Sequence, residues 1–228
     1  MTLKRELENT TKLEKKMKVF VERLLKWYAT NKRHFSWRKR HLTPYEVLVL
    51  EILLQRTMAE RVNEIFPEFI RRYPNPRALH KASERELLSL LKTLGLQKRR
   101  IKLLKALAKE MIDEYGKNFP TEIEEIVKLS GVGRYGASAV LCFSYGKPVA
   151  LVDTNIARVI HRIFAQPVRD DPSSDDSMWR FVQRILPKDR ARDFNWGLID
   201  FGAMVCRAKN PLCNQCPMAD ICAHATGE

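Results

Sequence analysis

Apolar positions recur at helical spacing along most of this chain. Across residues 16–27, Met17, Val19, Phe20, Leu24, Leu25 and Trp27 mark one face and predict an amphipathic helix, behind a charged segment, 1–16, expected to be a helical or frayed extension. Thr43-Pro44 then opens a segment in which Tyr45, Val47, Leu48, Val49, Leu50, Ile52, Leu53 and Leu54 are apolar nearly all round, the pattern of a buried helix. Glu51 sits inside that run. A carboxylate buried unpaired costs several kcal/mol, roughly, so Glu51 must be paired, protonated or lining a solvent-filled pocket. Further helices are predicted over 59–73, 84–91, 101–115, 121–129, 134–145, 155–164, 177–186 and 189–205, with Pro74 and Pro76 read as the turn between the first two. The expected fold is all-α.

The stretch 121–155 departs most from plain amphipathic patterning. Ser130-Gly131-Val132-Gly133 separates two predicted helices, and two glycines around one valine suit a tight hairpin whose backbone N–H groups point together beside the positive end of a helix dipole. That arrangement suits a phosphate, although a Gly-x-Gly alone is equally the mark of an ordinary helical hairpin. After Gly146 the chain passes through Pro148-Val149-Ala150-Leu151-Val152 and delivers Asp153, then Asn155, to the start of another helix. Taken by itself, Asp153 reads as a helix N-cap.

Charge narrows the function. The 228 residues carry 41 Lys and Arg against 27 Asp and Glu, a net +14, which favours a polyanionic partner. The charged N-terminal segment does not resemble a signal peptide, and no window approaches a membrane span, so an intracellular protein with no membrane partner is expected. Of five cysteines, Cys206, Cys213, Cys216 and Cys222 crowd the end with the spacing C-x6-C-x2-C-x5-C, and Cys142 stands apart as a small buried residue. Four close thiols in a reducing compartment call for a metal, and zinc and a [4Fe-4S] cluster are the candidates. Spacing alone does not choose between them.

The series LSGVGRYG, a helix with its exit loop, then LVDTN, resembles the signature of the helix-hairpin-helix DNA glycosylase superfamily, which includes endonuclease III, MutY-type adenine glycosylases and thymine mismatch glycosylases. LEILLQRTMAERV is similar to that family's E-x-x-L-Q-x-T segment, and the cysteine spacing resembles its cluster loop. The resemblance runs from about Phe35 to Cys222 and implies two helical domains with the active-site cleft between them: 44–153 carrying the hairpin, and 1–43 with 154–228 carrying a [4Fe-4S] loop at 206–222 on Cys206, Cys213, Cys216 and Cys222. It implies that Asp153 is the catalytic carboxylate, with Tyr135 and Glu51 at the pocket. Gly131, Val132, Gly133 and Arg134 would hold a DNA phosphate. Gln55, Arg56 and Thr57 would enter the duplex beside a flipped nucleotide, and Lys98, Arg99 or Arg100 would contact phosphates. The expected partner is double-stranded DNA with a mismatched or damaged base, bound by a monomer.

Within that family the bifunctional lyases place a lysine where this chain has Tyr135, so a monofunctional enzyme is expected. Thr93-Leu94-Gly95-Leu96-Gln97 and Val152-Asp153-Thr154-Asn155 depart from the adenine branch, and the segment from Arg192 to Phe201 looks closer to the thymine mismatch branch. The chain also stops six residues after Cys222, without the adenine branch's further domain. Removal of thymine or uracil opposite guanine is therefore expected, with adenine removal from A·G or A·8-oxoguanine as the alternative. A non-catalytic iron–sulfur DNA-binding protein is the reading from another class.

Overall fold

The computed structural model describes residues 2–116 and 119–227, and Met1, Lys117, Asn118 and Glu228 lie outside them. Twelve α-helices follow one another among the described residues: α1 Thr2–Asn31, α2 Pro44–Leu54, α3 Ala59–Arg72, α4 Pro76–Lys81, α5 Glu84–Leu90, α6 Gln97–Glu110, α7 Ile123–Ile126, α8 Arg134–Ala139, α9 Thr154–Phe164, α10 Asp176–Ile185, α11 Ala191–Met204 and α12 Ala223–Thr226. Short 3-10 and π turns connect them, and no strand occurs among the described residues. No described helix is long and apolar enough to cross a membrane.

The chain divides into two compact units, one running from His34 to Lys147 and the other formed by the residues up to Arg33 with those from Pro148 onward. These boundaries fall earlier than the expected 44 and 153. Local packing explains both offsets. Phe35 stacks on Trp37 at 4.5 Å, Trp37 meets Phe66 edge-on at 5.9 Å, and Ser36 N–H donates to Asn63 at 2.7 Å, which ties 34–43 to α3. On the other side, Ala150 N–H donates to Gln183 and Leu151 N–H to Asn195, which ties the approach to α9 onto α10 and α11.

The His34–Lys147 unit is built around α2. Thr43 and Glu46 form a reciprocal capping box, Pro44 takes the first-turn position where its missing N–H costs nothing, and eight of the eleven residues are buried. Glu46 belongs to that buried set. Burial pushes its carboxyl up, but the Arg40 guanidinium and Thr43 more than offset this and hold it below its usual value. Asn75-Pro76, read from the sequence as a turn, starts α4, because Asn75 accepts from Ala78 N–H at 3.0 Å and proline suits the first turn. The predicted helix 121–129 contracts to α7, four residues long, and the long helices from Gln97 and Arg134 each relax into a π turn, at Met111–Tyr115 and Val140–Ser144.

In the other unit α1 lies on α11. Phe20, fully buried, meets Phe164 at 5.2 Å and Phe194 at 6.5 Å, and Trp27 meets Phe201 edge-on at 5.2 Å. Burying one such ring contributes about 1.5–3 kcal/mol. Asp200, at 0% exposure, is neutralised by Arg33, whose Nε and backbone N–H donate to it at 2.7 and 3.0 Å. Gly202 lets α9 approach α11, since a Cβ there would stand 3.2 Å from the Asn155 side chain.

Candidate active site

The two hairpin glycines have different reasons to be glycine. Gly131 has φ +77°, and a Cβ on it would stand 3.0 Å from a Leu103 methyl of α6, so both backbone and packing demand it. Gly133 has φ −97° and ψ −176°, ordinary extended values, and a Cβ there would meet nothing within 4 Å. No demand inside the chain accounts for Gly133. What glycine provides is a bare backbone at the N-cap of α8, where no side chain caps the helix and an outside anion can approach closely. Glu110, the last residue of α6, fixes the hairpin by accepting from Ser130 N–H at 2.7 Å and from the Ser130 hydroxyl.

A cavity opens beside this hairpin within the same unit. It encloses about 540 Å³, its open mouth included, and is lined by Leu48, Glu51, Ile52, Gln55, Tyr135, Gly136 and the run Gly131-Val132-Gly133. Six residues singled out in the sequence therefore meet at one place: Glu51, Gln55, Gly131, Val132, Gly133 and Tyr135. The C-terminal turn of α2 brings Glu51, half-buried, to the cavity wall, and the exposed C-cap residue Gln55 follows it there. Tyr135 stands in the first turn of α8, likewise half-buried.

Other sequence candidates lie outside the lining. Arg56, Lys98, Arg99 and Arg134 are exposed. Thr57 turns its hydroxyl inward, donating to Leu94 O at 3.2 Å. Arg100 is a correction: it is 2% exposed, and its guanidinium donates to backbone carbonyls, which leaves it unavailable to a phosphate. Sequence reading grouped it with Lys98 and Arg99 as one basic run, but α6 begins at Gln97, and the helical turn carries Arg100 inward while its two neighbours face out. The outward display of two apolar side chains, Met58 at 63% exposure and Leu96 at 47%, was not foreseen. Glu110 was also missed, because nothing in its local pattern signals a partner twenty residues away.

Asp153 belongs to the other unit, where it is the N-cap of α9. One oxygen accepts from Ile156 N–H at 2.7 Å and the other from the Asn155 amide at 3.1 Å. The Asn155 side-chain Oδ1 accepts from Arg158 at 3.1 Å, and Arg158 continues to the backbone carbonyls Gly202 O at 2.8 Å and Cys206 O at 3.0 Å. Arg162 reaches Arg207 O at 2.7 Å and Ala208 O at 3.1 Å. Asn155, Arg158 and Arg162 follow i, i+3, i+7 spacing, so one face of α9 carries the carboxylate's support at one end and the start of the cysteine loop at the other. Burial lowers the Arg158 guanidinium from its ordinary value.

Cys206, Cys213, Cys216 and Cys222 line one cavity together with apolar Ile163, Phe201, Val205, Pro211 and Leu212. Burial raises the Cys216 thiol to about 11, with Met218 N–H opposing and the other three cysteines adding to the rise; Cys222 is raised by burial as well. Thiolates here repel one another in a poorly solvated space, so they need a cationic group to hold them. Among the described residues no three His, Cys, Asp or Glu side chains are gathered closely enough to hold a single metal ion, and the four cysteines instead line one apolar space. A donor set spread around a cavity suits a multi-atom iron–sulfur group better than one tetrahedral ion.

Comparison with known proteins matches residues 49–184 to the HhH-GPD superfamily base excision DNA repair protein model and residues 206–222 to the iron–sulfur binding domain of endonuclease III. The thymine/uracil-DNA glycosylase of Methanothermobacter thermautotrophicus is 37% identical, over 92% of this chain and 95% of its own length. The thymine-DNA glycosylase of Aeropyrum pernix is 39% identical, over 89% and 92%. An adenine DNA glycosylase of Mycobacterium tuberculosis is 38% identical over 88% of this chain, which spans 66% of that longer protein. Among solved structures, a thermostable thymine-DNA glycosylase superimposes with a TM-score of 0.89 at 36% identity, covering 95% of this chain and 99% of the other.

Proposed function

Because this chain belongs to the HhH-GPD superfamily of base excision DNA repair proteins and is a DNA glycosylase, we propose that it removes thymine or uracil opposite guanine by hydrolysis, without cleaving the strand. The observation that carries this reading is the cavity, in which Tyr135 and Glu51 stand beside the hairpin backbone. A phenol cannot form the imine through which a lysine cleaves the sugar, so no side chain at that position supports a lyase step. Full-length similarity to thymine and uracil glycosylases supports the choice of base.

Double-stranded DNA inside the cell is the partner, bound by a monomer. The hairpin Gly131-Val132-Gly133 and Arg134 hold a phosphate through a cation and the hairpin N–H groups other than that of Val132, which donates to Leu129 O at 3.0 Å, while Lys98 and Arg99 add phosphate contacts. Gln55, with Arg56 and Thr57, fills the stack left by the extruded nucleotide; extrusion costs a few kcal/mol, roughly, and least at a mismatch. Tyr135 packs on the flipped base and Glu51 bonds to its edge or to the attacking water. As the glycosidic bond breaks, positive charge develops on the sugar, and ionised Asp153 stabilises it and orients the water. Cys206, Cys213, Cys216 and Cys222 hold a [4Fe-4S] cluster, which orders the loop from Arg207 to Asn210 and takes no part at the base.

The test is single-turnover base release from duplexes carrying G·T, G·U, A·G and A·8-oxoguanine, each read with and without alkali. Faster release of thymine or uracil, with strand breaks only after alkali, is expected. Faster adenine release would make Glu51 the acid that protonates a purine, and breaks without alkali would refute the hydrolytic reading.

A further inference from the structure

Arg100 draws together two loops that the chain separates by some forty residues. Its guanidinium donates to Ile52 O, to Leu53 O at 2.9 Å and to Gln55 O at 2.6 Å, all at the C-terminal end of α2. It also donates to Gly95 O at 3.0 Å in the loop before α6, and to the Thr57 hydroxyl, which in turn donates to Leu94 O. Carbonyls at a helix C-terminus lack intrahelical partners and carry the negative end of its dipole, so a buried cation is a suitable cap for them.

The same two loops hold unusual backbone. Non-glycine residues with positive φ among those described are Arg56, Leu96, Ala165 and Asn210, and the first two, at φ 52° and 50°, flank this guanidinium. Left-handed backbone at a side-chain-bearing residue persists only where its surroundings over-determine it. Its consequence here is outward display: Gln55 and Arg56 are exposed, Met58 is 63% exposed and Leu96 is 47% exposed. Solvent-facing apolar side chains next to strained backbone indicate an edge shaped for something outside the chain.

We infer that Arg100 is a positioning residue that locks the 55–58 and 94–96 loops into one rigid edge, so that this edge enters the base stack without first having to be ordered. The inference rests on the reading that Gln55 and its neighbours enter the duplex during extrusion. A lysine cannot take over the role, because one ammonium cannot span carbonyls from both loops as a planar five-donor fork does.

The experiment places 2-aminopurine beside the target base and compares the intact protein with Arg100→Met and Arg100→Lys, using whichever base the wild type releases fastest. For Arg100→Met, duplex affinity should stay within about threefold, since phosphate contacts set it. The fluorescence rise on binding should drop at least about fivefold and single-turnover release about thirtyfold. Placing the target opposite an abasic site removes the pairing that extrusion must break, and release there should return to within about threefold of the wild type. Arg100→Lys should show the same pattern at intermediate size. It carries the test alone if Arg100→Met does not fold. Equal losses on both duplexes, or an unchanged fluorescence rise, would overturn the inference while leaving the proposed function intact. A wild-type protein that gives no fluorescence rise would instead remove the extrusion premise, and the inference with it.

Discussion

Helices α8 and α9 begin in opposite ways. Both must deal with first-turn N–H groups that no preceding helical carbonyl can accept. At α8 the N-cap is Gly133, which has no side chain to offer, and the start of the helix is bare toward solvent. At α9 the N-cap is Asp153, whose carboxylate closes the helix from within by accepting from Ile156 N–H. A bare start invites an anion from outside, whereas a closed start keeps a negative charge of the protein's own in a fixed place. Under the proposed function the first start binds a phosphodiester and the second presents a carboxylate to a developing cation, so that the two would divide affinity from chemistry.

The largest effect that can break this division is Asp153→Asn. Asparagine caps a helix about as well as aspartate, so fold and duplex affinity should be kept, within about threefold for affinity. Base release in single turnover should fall about a thousandfold, because the amide carries no charge to set against the sugar cation. Turnover near the wild-type rate would return Asp153 to a capping role alone. Glu51→Gln is expected to have a smaller effect, a loss of about tenfold to a hundredfold in the same assay, because it acts at the base edge or the water and not on the main charge.

How far these roles could be read from the sequence depended on how local their causes are. Thr43-Pro44 and Gly131-Val132-Gly133 announce themselves in a few adjacent residues, and the 3.6-residue spacing gave nearly every helix. Glu46 and Glu51 show the limit. They sit five residues apart in one buried helix, and the pattern flags only the second, although the first is the more buried and is neutralised by Arg40. Arg100 failed for a related reason: shifting the start of α6 by four residues turns an apparent basic loop into an outward pair and an inward clamp. Asp153 was read as a cap, which its bonds bear out, and through resemblance as a catalyst, for which those bonds leave room because each oxygen accepts one of them and retains lone pairs. Long-range partners such as Glu110 with Ser130 leave no local trace.

Gly133→Asp would make α8 imitate α9. The backbone there is already extended and a Cβ meets nothing, so the chain accepts the change and the new carboxylate can cap the helix. Thermal stability should not fall. Duplex affinity should drop about thirtyfold at low salt, since a carboxylate now stands where a phosphate must approach, and the penalty should shrink as salt screens it. Gly133→Ala, which adds bulk without charge, should cost less, about threefold to tenfold, again with no loss of stability. Gly131→Ala is the counterpart that must lose stability, given its φ of +77° and the Leu103 methyl at 3.0 Å. If Gly133→Ala and Gly131→Ala lowered the melting temperature alike, Gly133 would have a reason inside the chain, and the bare helix start would lose its meaning as a phosphate site.

The smallest effect separates the two duties of Asp153 from each other. Asp153→Ala removes both charge and cap, whereas Asp153→Asn removes only the charge, so their rates of base release should be alike while their stabilities differ. Losing an N-cap costs about 1 kcal/mol, which in a chain of this size lowers the melting temperature by roughly 2–4 °C. The change should be local to the first turn of α9, where Ile156 N–H loses its acceptor and Asn155 loses the carboxylate that its amide now meets. Arg158 still holds Gly202 O and Cys206 O in either variant, so α9 should remain seated on α11. Calorimetry on Asp153→Ala and Asp153→Asn side by side gives the measurement. Equal melting temperatures would mean that the cap contributes nothing measurable, and that the carboxylate is held at this helix start for its chemistry alone.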